Sequence, residues 1–169
     1  LGDVYKRQVC ATDVEELEQG EDPGLLAVEN ALRKARAAPA PGAGEAVIGC
    51  DTIVVLDGVI YGKPRDETQA RETLRALAGR THEVLSGLAV LLPDEERTAL
   101  ARTRVTFRRL DEAELEAYVA TEEWRGRSGG YAIQGGASRL AVAIDGPEDN
   151  VVGLPLATLR DLYPELSGE

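Results

Sequence analysis

Residues 46–64 read AVIGCDTIVVLDGVIYGKP, and the fold turns on how this stretch is taken. The apolar run predicts a buried strand. Asp57-Gly58 is a hairpin signal that sends the chain back as a second strand. Asp51 stands in the middle of the first strand. An ionised carboxylate there is costly unless it is paired or binds a cation. Lys63 follows the second strand inside a rigid Gly-Lys-Pro. A buried acid with a cation nearby suits a charged ligand such as a phosphate ester with its metal. The plainer reading is an aspartate that caps a local turn.

Working outward, Asp22-Pro23 opens a helix, with the acid as cap and the proline in the first turn. Leu25, Val28, Leu32 and Ala35 follow at helical spacing. Residues 37–44 form an Ala/Pro/Gly loop. Asp66 and Gln69 make a capping-box pattern for a helix carrying Ala70, Leu74 and Leu77, with Gly79 placed to end it. Residues 81–92 predict a strand, 93–96 a charged turn, and 98–110 an alternating strand with Val105 and Phe107 on one face. Asp111 and Glu114 repeat the capping box, with Leu115, Tyr118 and Val119 inward. Residues 124–138 are Gly-rich and irregular. Residues 140–144 are a short strand, and Pro155 opens a last helix to about Tyr163. Helices alternate with strands and hairpins, so the expected class is α/β with a mixed sheet.

At 169 residues the chain has the size of one domain, and its 43% hydrophobic content can build a core. A net charge of -11 argues against a nonspecific nucleic-acid binder or an anionic membrane surface as partner. It leaves a nucleotide open as ligand, because a few local cations decide that. Arg102, Arg104, Arg108 and Arg109 lie on an alternating stretch and read as a solvated strand face. The two cysteines, Cys10 and Cys50, form no CxxC. Cys50 reads as a buried free thiol, which fits a reducing cytosol. No apolar run of about 18 residues marks a membrane span.

Several residues could carry chemistry. Glu15 or Glu16, before the first helix, could join Asp51 as an oxygen ligand for Mg²⁺; the alternative is a solvated acidic turn. Lys34 is either a phosphate ligand or an exposed helical cation, and Lys63 either a phosphate ligand or a turn lysine. The Gly-rich segment holds Arg127, Ser128, Tyr131 and Gln134. The Gln134 amide carries both a donor and an acceptor, as reading a nucleobase edge requires. The plainer role is a structural amide in a tight loop. His82, the single histidine, reads as structural.

Five segments then fall into one order: GCDTIVVLDGVIYGKP, LRALAGRTHEV, VTFRRL, GGYAIQGGAS and NVVGLPL. From about Val14 to Leu162 the chain resembles the Maf family of nucleoside triphosphate pyrophosphatases. The resemblance implies an elongated α/β fold with a mixed twisted sheet and a central cleft, often dimeric. It implies a cytoplasmic hydrolase that uses a divalent cation, Mg²⁺ first and Mn²⁺ or Co²⁺ as substitutes. The bond cleaved lies between the α and β phosphates of a nucleoside triphosphate.

Residue by residue, the resemblance makes Asp51 the catalytic acid and a metal ligand, and Glu16 its metal-binding companion. Lys34 and Lys63 become the cations on the triphosphate, with Arg127 where many members have lysine. Thr52 and Gln134 match the branch acting on dTTP and UTP, with modified uridine triphosphates or CTP next. The alternatives are a noncatalytic nucleotide-binding regulator and a pyrophosphatase for inosine or xanthosine triphosphate. One departure stands out. Family members open with an apolar strand and a Ser-x-Ser-Pro-Arg-Arg loop, where this chain has LGDVYKRQVC. Residues 1–8 are therefore expected to be a non-native leader, and 9–169 a single domain lacking that first strand and loop.

Overall fold

The computed structural model describes residue 9 and residues 14–167. The expected leader over 1–8, and Cys10, lie outside the described residues.

The first helix, α1 (Pro23–Ala37), starts as expected: the Asp22 carboxylate accepts from the Gly24 and Leu25 amides, and proline occupies the first turn. Its buried face differs from the expected one. Leu25 is 70% exposed, whereas Gly24, Leu26, Ala27, Asn30, Ala31 and Ala35 are buried. Of the expected stripe only Ala35 is buried and Val28 and Leu32 are half-buried; close contact of Ala27, Ala31 and Ala35 with the sheet turns the helix so that Leu26 rather than Leu25 faces inward.

The strands β1 (Val47–Leu56) and β2 (Val59–Tyr61) are joined at Asp57 and Gly58, both at positive φ, 50° and 79°. This is the left-handed pair that a tight hairpin turn requires. Helix α2 (Glu67–Leu77) is capped by Asp66, which accepts from Gln69 N at 2.8 Å. The second half of the expected capping box is displaced by one residue, since Gln69 Oε1 accepts from Arg65 N. Strand β3 (Thr81–Leu92) turns at Pro93-Asp94 into β4 (Glu95–Phe107). β4 starts three residues earlier than the alternation indicated, because ladder pairing of Leu92 with Glu95 carries the charged residues into the strand. Helix α3 (Glu112–Val119) has the full Asp111/Glu114 capping box and buries Leu115, Tyr118 and Val119. Strand β5 (Ala141–Asp145) and helices α4 (Glu148–Val152) and α5 (Leu156–Leu162) follow, with short 3-10 turns at Ser128–Gly130, Gly136–Arg139 and Pro164–Ser167.

The α/β class holds. The five strands lie in the order β2-β1-β3-β4-β5, and each neighbouring pair is antiparallel. The sheet expected to be mixed is therefore antiparallel among the described residues, because the crossover through α2 brings β3 to the far side of β1 instead of beside β2. β2 and β3 both oppose β1 and so run the same way, joined by α2, but β1 lies between them. Among the described residues, β1 pairs with β2 only over Val54–Leu56, so from Val47 to Ile53 it has a strand neighbour on one side alone.

Side chains alternate along β1, and the two faces of the sheet are unlike. One face carries α1 over Ile53, Val55 and Leu85. The other carries Val54, Leu56, Phe107, Tyr118, Trp124 and Tyr131 in the largest core cluster. The α1 face is built for close approach. A Cβ at Gly49 would stand 2.2 Å from the Ala31 carbonyl oxygen, and one at Gly87 2.2 Å from that of Ala27. Gly87 is the cross-strand partner of Asp51. Glycines in the sheet and alanines on the helix thus let the α1 backbone lie almost on the strands beside Asp51.

Candidate active site

Asp51 points from β1 into the α1 face and is 4% exposed. Both its oxygens are engaged. Oδ2 accepts from Asn30 Nδ2 at 3.1 Å, and Oδ1 accepts from the Lys34 ammonium. Asn30 and Lys34 stand one helical turn apart on α1, so they face the same strand residue. Lys34 Nζ also meets Glu16 Oε1 at 2.8 Å. Lys63 Nζ donates to both Glu16 oxygens, at 2.7 and 2.9 Å. The result is a chain of alternating charge, Asp51–Lys34–Glu16–Lys63. A buried carboxylate survives here because an ammonium and an amide replace its lost water.

The titration behaviour follows from this network. Burial pulls Lys34 downward, yet its hydrogen bonds and attraction to Asp51 and Glu16 outweigh this and raise its pKa. Burial pushes Glu16 upward, but Lys34 and Lys63 together hold it below the usual carboxylate value. Cys50 is half-buried, donates its thiol to the Gly153 carbonyl at 3.1 Å, and is pushed up to about 11 by burial. It is therefore a neutral thiol, and the charge in this region belongs to Asp51 and its partners.

Four of the expected site residues, Asp51, Glu16, Lys34 and Lys63, are thus brought together. Of the two candidate glutamates, Glu16 joins the network and Glu15 stays exposed. Lys34 Nζ bridges both carboxylates, so the two acids converge on one point. Two carboxylates supplemented by phosphate oxygens and water are a donor set that suits Mg²⁺. Among the described residues no cluster of three or more His, Cys, Asp or Glu side chains could hold a metal without substrate.

Thr52, Gln134 and Arg127 are placed elsewhere. Alternation turns Thr52 away from Asp51, and its hydroxyl hydrogen-bonds the Ser86 hydroxyl at 2.8 Å. Gln134 and Arg127 line a cavity of about 310 Å³ with Glu123, Tyr131, Val151 and Val152. Thr52 does not line this cavity, although it faces the same side of the sheet. The two sides meet at the β1 edge beyond the end of β2. There Ser128 Oγ donates to the Thr52 carbonyl at 2.6 Å, and Gly129 N donates to the Gly62 carbonyl at 3.1 Å. Residues 62–64 wrap this edge. Lys63 reaches Glu16 on the α1 side, while Pro64 packs within 3.0 Å of a Cβ built on Gly130.

The Gly-rich loop is held from behind by side chains. Tyr118 Oη accepts from Ala132 N at 2.9 Å, and Glu123 Oε2 accepts from Gly136 N at 2.7 Å. His82, 1% exposed, shares a 2.9 Å hydrogen bond with Tyr131 Oη. Burial lowers its pKa to about 4, so it is a neutral structural imidazole, as the sequence suggested. Sequence reasoning passed over Asn30 and Glu123. Asn30 had one usable signal, a polar residue four positions before Lys34 on the helix that precedes the acid-bearing strand.

The model of the Maf-like protein family matches residues 1–166. A dTTP/UTP pyrophosphatase of Novosphingobium aromaticivorans is 45% identical over 161 residues, covering 94% of this chain and 80% of that protein. One of Geobacter sulfurreducens is 47% identical over 153 residues, 88% of this chain and 79% of that protein. One of Pyrococcus abyssi is 36% identical over 162 residues, 96% and 87%. The family match takes in almost the whole chain, including the acid-bearing strand and the Gly-rich loop, so this protein belongs to the Maf-like family.

Proposed function

We propose that this protein is a nucleoside triphosphate pyrophosphatase that hydrolyses dTTP and UTP to the monophosphate and pyrophosphate. The observation that carries this reading is the Asp51–Lys34–Glu16–Lys63 network. It holds one buried acid, one half-exposed acid and two ammonium groups in a single patch, ready for a polyanion. The names of the relatives and the amide of Gln134 support the choice of a pyrimidine.

Water adds across the α–β anhydride. Its oxygen bonds to phosphorus, the bridging P–O bond breaks, and pyrophosphate leaves. The Asp51 carboxylate accepts the water proton. The triphosphate competes for Lys34 and Lys63, which turn from the acids to the phosphate oxygens and offset their charge. This exchange frees oxygens of Asp51 and Glu16, the pair we assign to a divalent cation. When bound, that cation neutralises phosphate charge and acidifies water. Gln134 presents a donor and an acceptor to the carbonyl and N–H of a pyrimidine edge. Arg127 in the same cavity supplies a fixed positive charge.

The test is pyrophosphate release from dTTP, UTP, CTP, GTP, ITP and 7-methyl-GTP with Mg²⁺, then with Mn²⁺ or Co²⁺. Turnover of dTTP and UTP ahead of the purines is expected. A folded protein that releases pyrophosphate from none of them would be a nucleotide binder. A purine-selective profile would move the assignment to an inosine or xanthosine triphosphatase.

A further inference from the structure

Asn30 is 2% exposed on the face of α1 that meets the sheet, and its amide is fully engaged. Oδ1 accepts from Leu17 N at 2.8 Å. Nδ2 donates to the Leu17 carbonyl at 3.0 Å and to Asp51 Oδ2 at 3.1 Å. The orientation of the amide is fixed by its partners. Turned over, it would set an oxygen against a carbonyl and a carboxylate, and an NH₂ against an N–H. Leu17 is the neighbour of Glu16 in a stretch with no helix or strand of its own. Besides the apolar contact of Leu17 with α1 and β1, that stretch is held by the ion pairs of Glu16 with Lys34 and Lys63, the two cations that a triphosphate would draw away.

We infer that Asn30 is a positioning residue: one buried amide ties the backbone beside Glu16 to the Asp51 carboxylate and so sets the spacing of the two acids. Its two bonds to Leu17 act like a short piece of sheet ladder and fix where Glu16 leaves the chain. Its third bond fixes the rotation of Asp51. Because Nδ2 donates to Oδ2, that oxygen is committed as an acceptor, and Oδ1, on the Lys34 and Glu16 side, is the oxygen left for chemistry. Lys34 cannot do this work, since it must leave the acids when phosphate binds. Asn30 carries no charge and makes no contact that a triphosphate would take from it. The close α1–sheet approach at Gly49 and Gly87 is what lets so short a side chain span helix, loop and strand.

The inference rests on the proposed pyrophosphatase activity, so its test includes a readout independent of turnover. Asn30→Leu removes all three bonds at similar volume. Asn30→Asp can still accept from Leu17 N but cannot, as a carboxylate, donate to Asp51. Both are compared with the parent for folding, for Leu17 amide hydrogen exchange, and for kcat and KM with dTTP. In Asn30→Leu the Leu17 amide is expected to exchange at least tenfold faster. In both variants kcat falls by about 10- to 100-fold, as misplaced catalytic groups do, while KM stays within about threefold. Asn30→Asp keeps only the acceptor for the Leu17 amide and loses the donations to the Leu17 carbonyl and to Asp51, so if Asn30→Leu folds poorly, Leu17 protection kept beside a fallen kcat assigns the loss to the Nδ2 bonds. A folded variant with parental kcat overturns the inference, as does a loss confined to KM. If the parent itself releases no pyrophosphate, the functional reading fails, and Leu17 exchange alone decides whether the clamp exists.

Discussion

The two faces of β1 are solved by opposite means. Toward α1 the sheet is thin. Gly49 and Gly87 lie under Ala27, Ala31 and Ala35, and the backbone of the helix nearly touches the strands. Toward the Gly-rich loop it is thick, filled by Trp124, Phe107, Tyr118, Tyr131 and the buried His82. The thin face brings short polar side chains within reach of a buried acid. The thick face uses aromatic bulk to hold up a loop that has little regular structure of its own. His82, Phe107 and Tyr131 meet edge to face there, with centroids 4.9–5.5 Å apart. Side-chain size therefore divides the work: small residues assemble the charges, and large ones shape the cavity.

The strongest test of that division is Asp51→Asn. It keeps the shape and removes the base, so kcat for dTTP is expected to fall about 10²- to 10⁴-fold in a folded protein. Full activity in this variant would remove the α1 face from catalysis altogether.

A pair of packing changes should then separate the faces. Gly87→Ala forces a methyl against the Ala27 carbonyl, lifts α1 and draws Asn30 and Lys34 from Asp51. Destabilisation of about 1–3 kcal/mol in urea unfolding is expected, with the activity loss mainly in kcat. Trp124→Ala, on the thick face, should cost about 3–5 kcal/mol and act mainly on KM through the Gly-rich loop. If both variants changed kcat alone, the division of labour would be wrong.

The next test is pH. His82 has a folded pKa near 4 against an ordinary 6.5, lowered by burial. The unfolded chain therefore binds the proton first. The stability contributed by neutral His82 is complete above pH 6.5 and is lost as pH falls from 6.5 toward 4. The loss is on the order of 3 kcal/mol at the acid end. Thermal unfolding scanned over that window should show the decline, and His82→Gln should flatten it. A parallel decline in the variant would show that His82 does not carry it.

The smallest effect belongs to the rim. Arg75 and Glu112 form an exposed ion pair between α2 and α3, outside both faces. Arg75→Ala should leave kcat and KM at parental values and move Tm by no more than the scatter of repeated scans. A larger shift would mean that the α2–α3 surface supports the loop below it.

Much of the fold could be read along the chain because it is locally encoded. Asp57-Gly58 specifies a turn, Asp111 and Glu114 a helix start, and Asp22-Pro23 another, each through atoms only a few residues apart. The face of α1 could not be read in this way. Leu25, Val28 and Leu32 have the right spacing for burial, but Gly49 and Gly87 draw the Ala27, Ala31 and Ala35 side of the helix down onto the sheet, which leaves Leu25 exposed and the other two only partly buried. The choice of Glu16 over Glu15 depends on Lys34 and Lys63, which arrive from distant parts of the chain.

The sequence by itself determined that an acid lies within an apolar strand, that cations and a Gly-rich segment accompany it, and to which family the order of motifs points. Those are properties of residue type and spacing. Only the tertiary structure decided that α1 covers the Asp51 face while Thr52 meets Ser86 on the other, that Asn30 joins Glu16's segment to Asp51, and that residues 62–64 and the Gly-rich loop meet at the β1 edge. The reason is that a strand fixes which residues alternate, but only its neighbours decide what each face meets. Hydrogen bonds of about 3 Å between residues far apart in the chain exist only once α1, β1 and the loop between β2 and α2 are packed together.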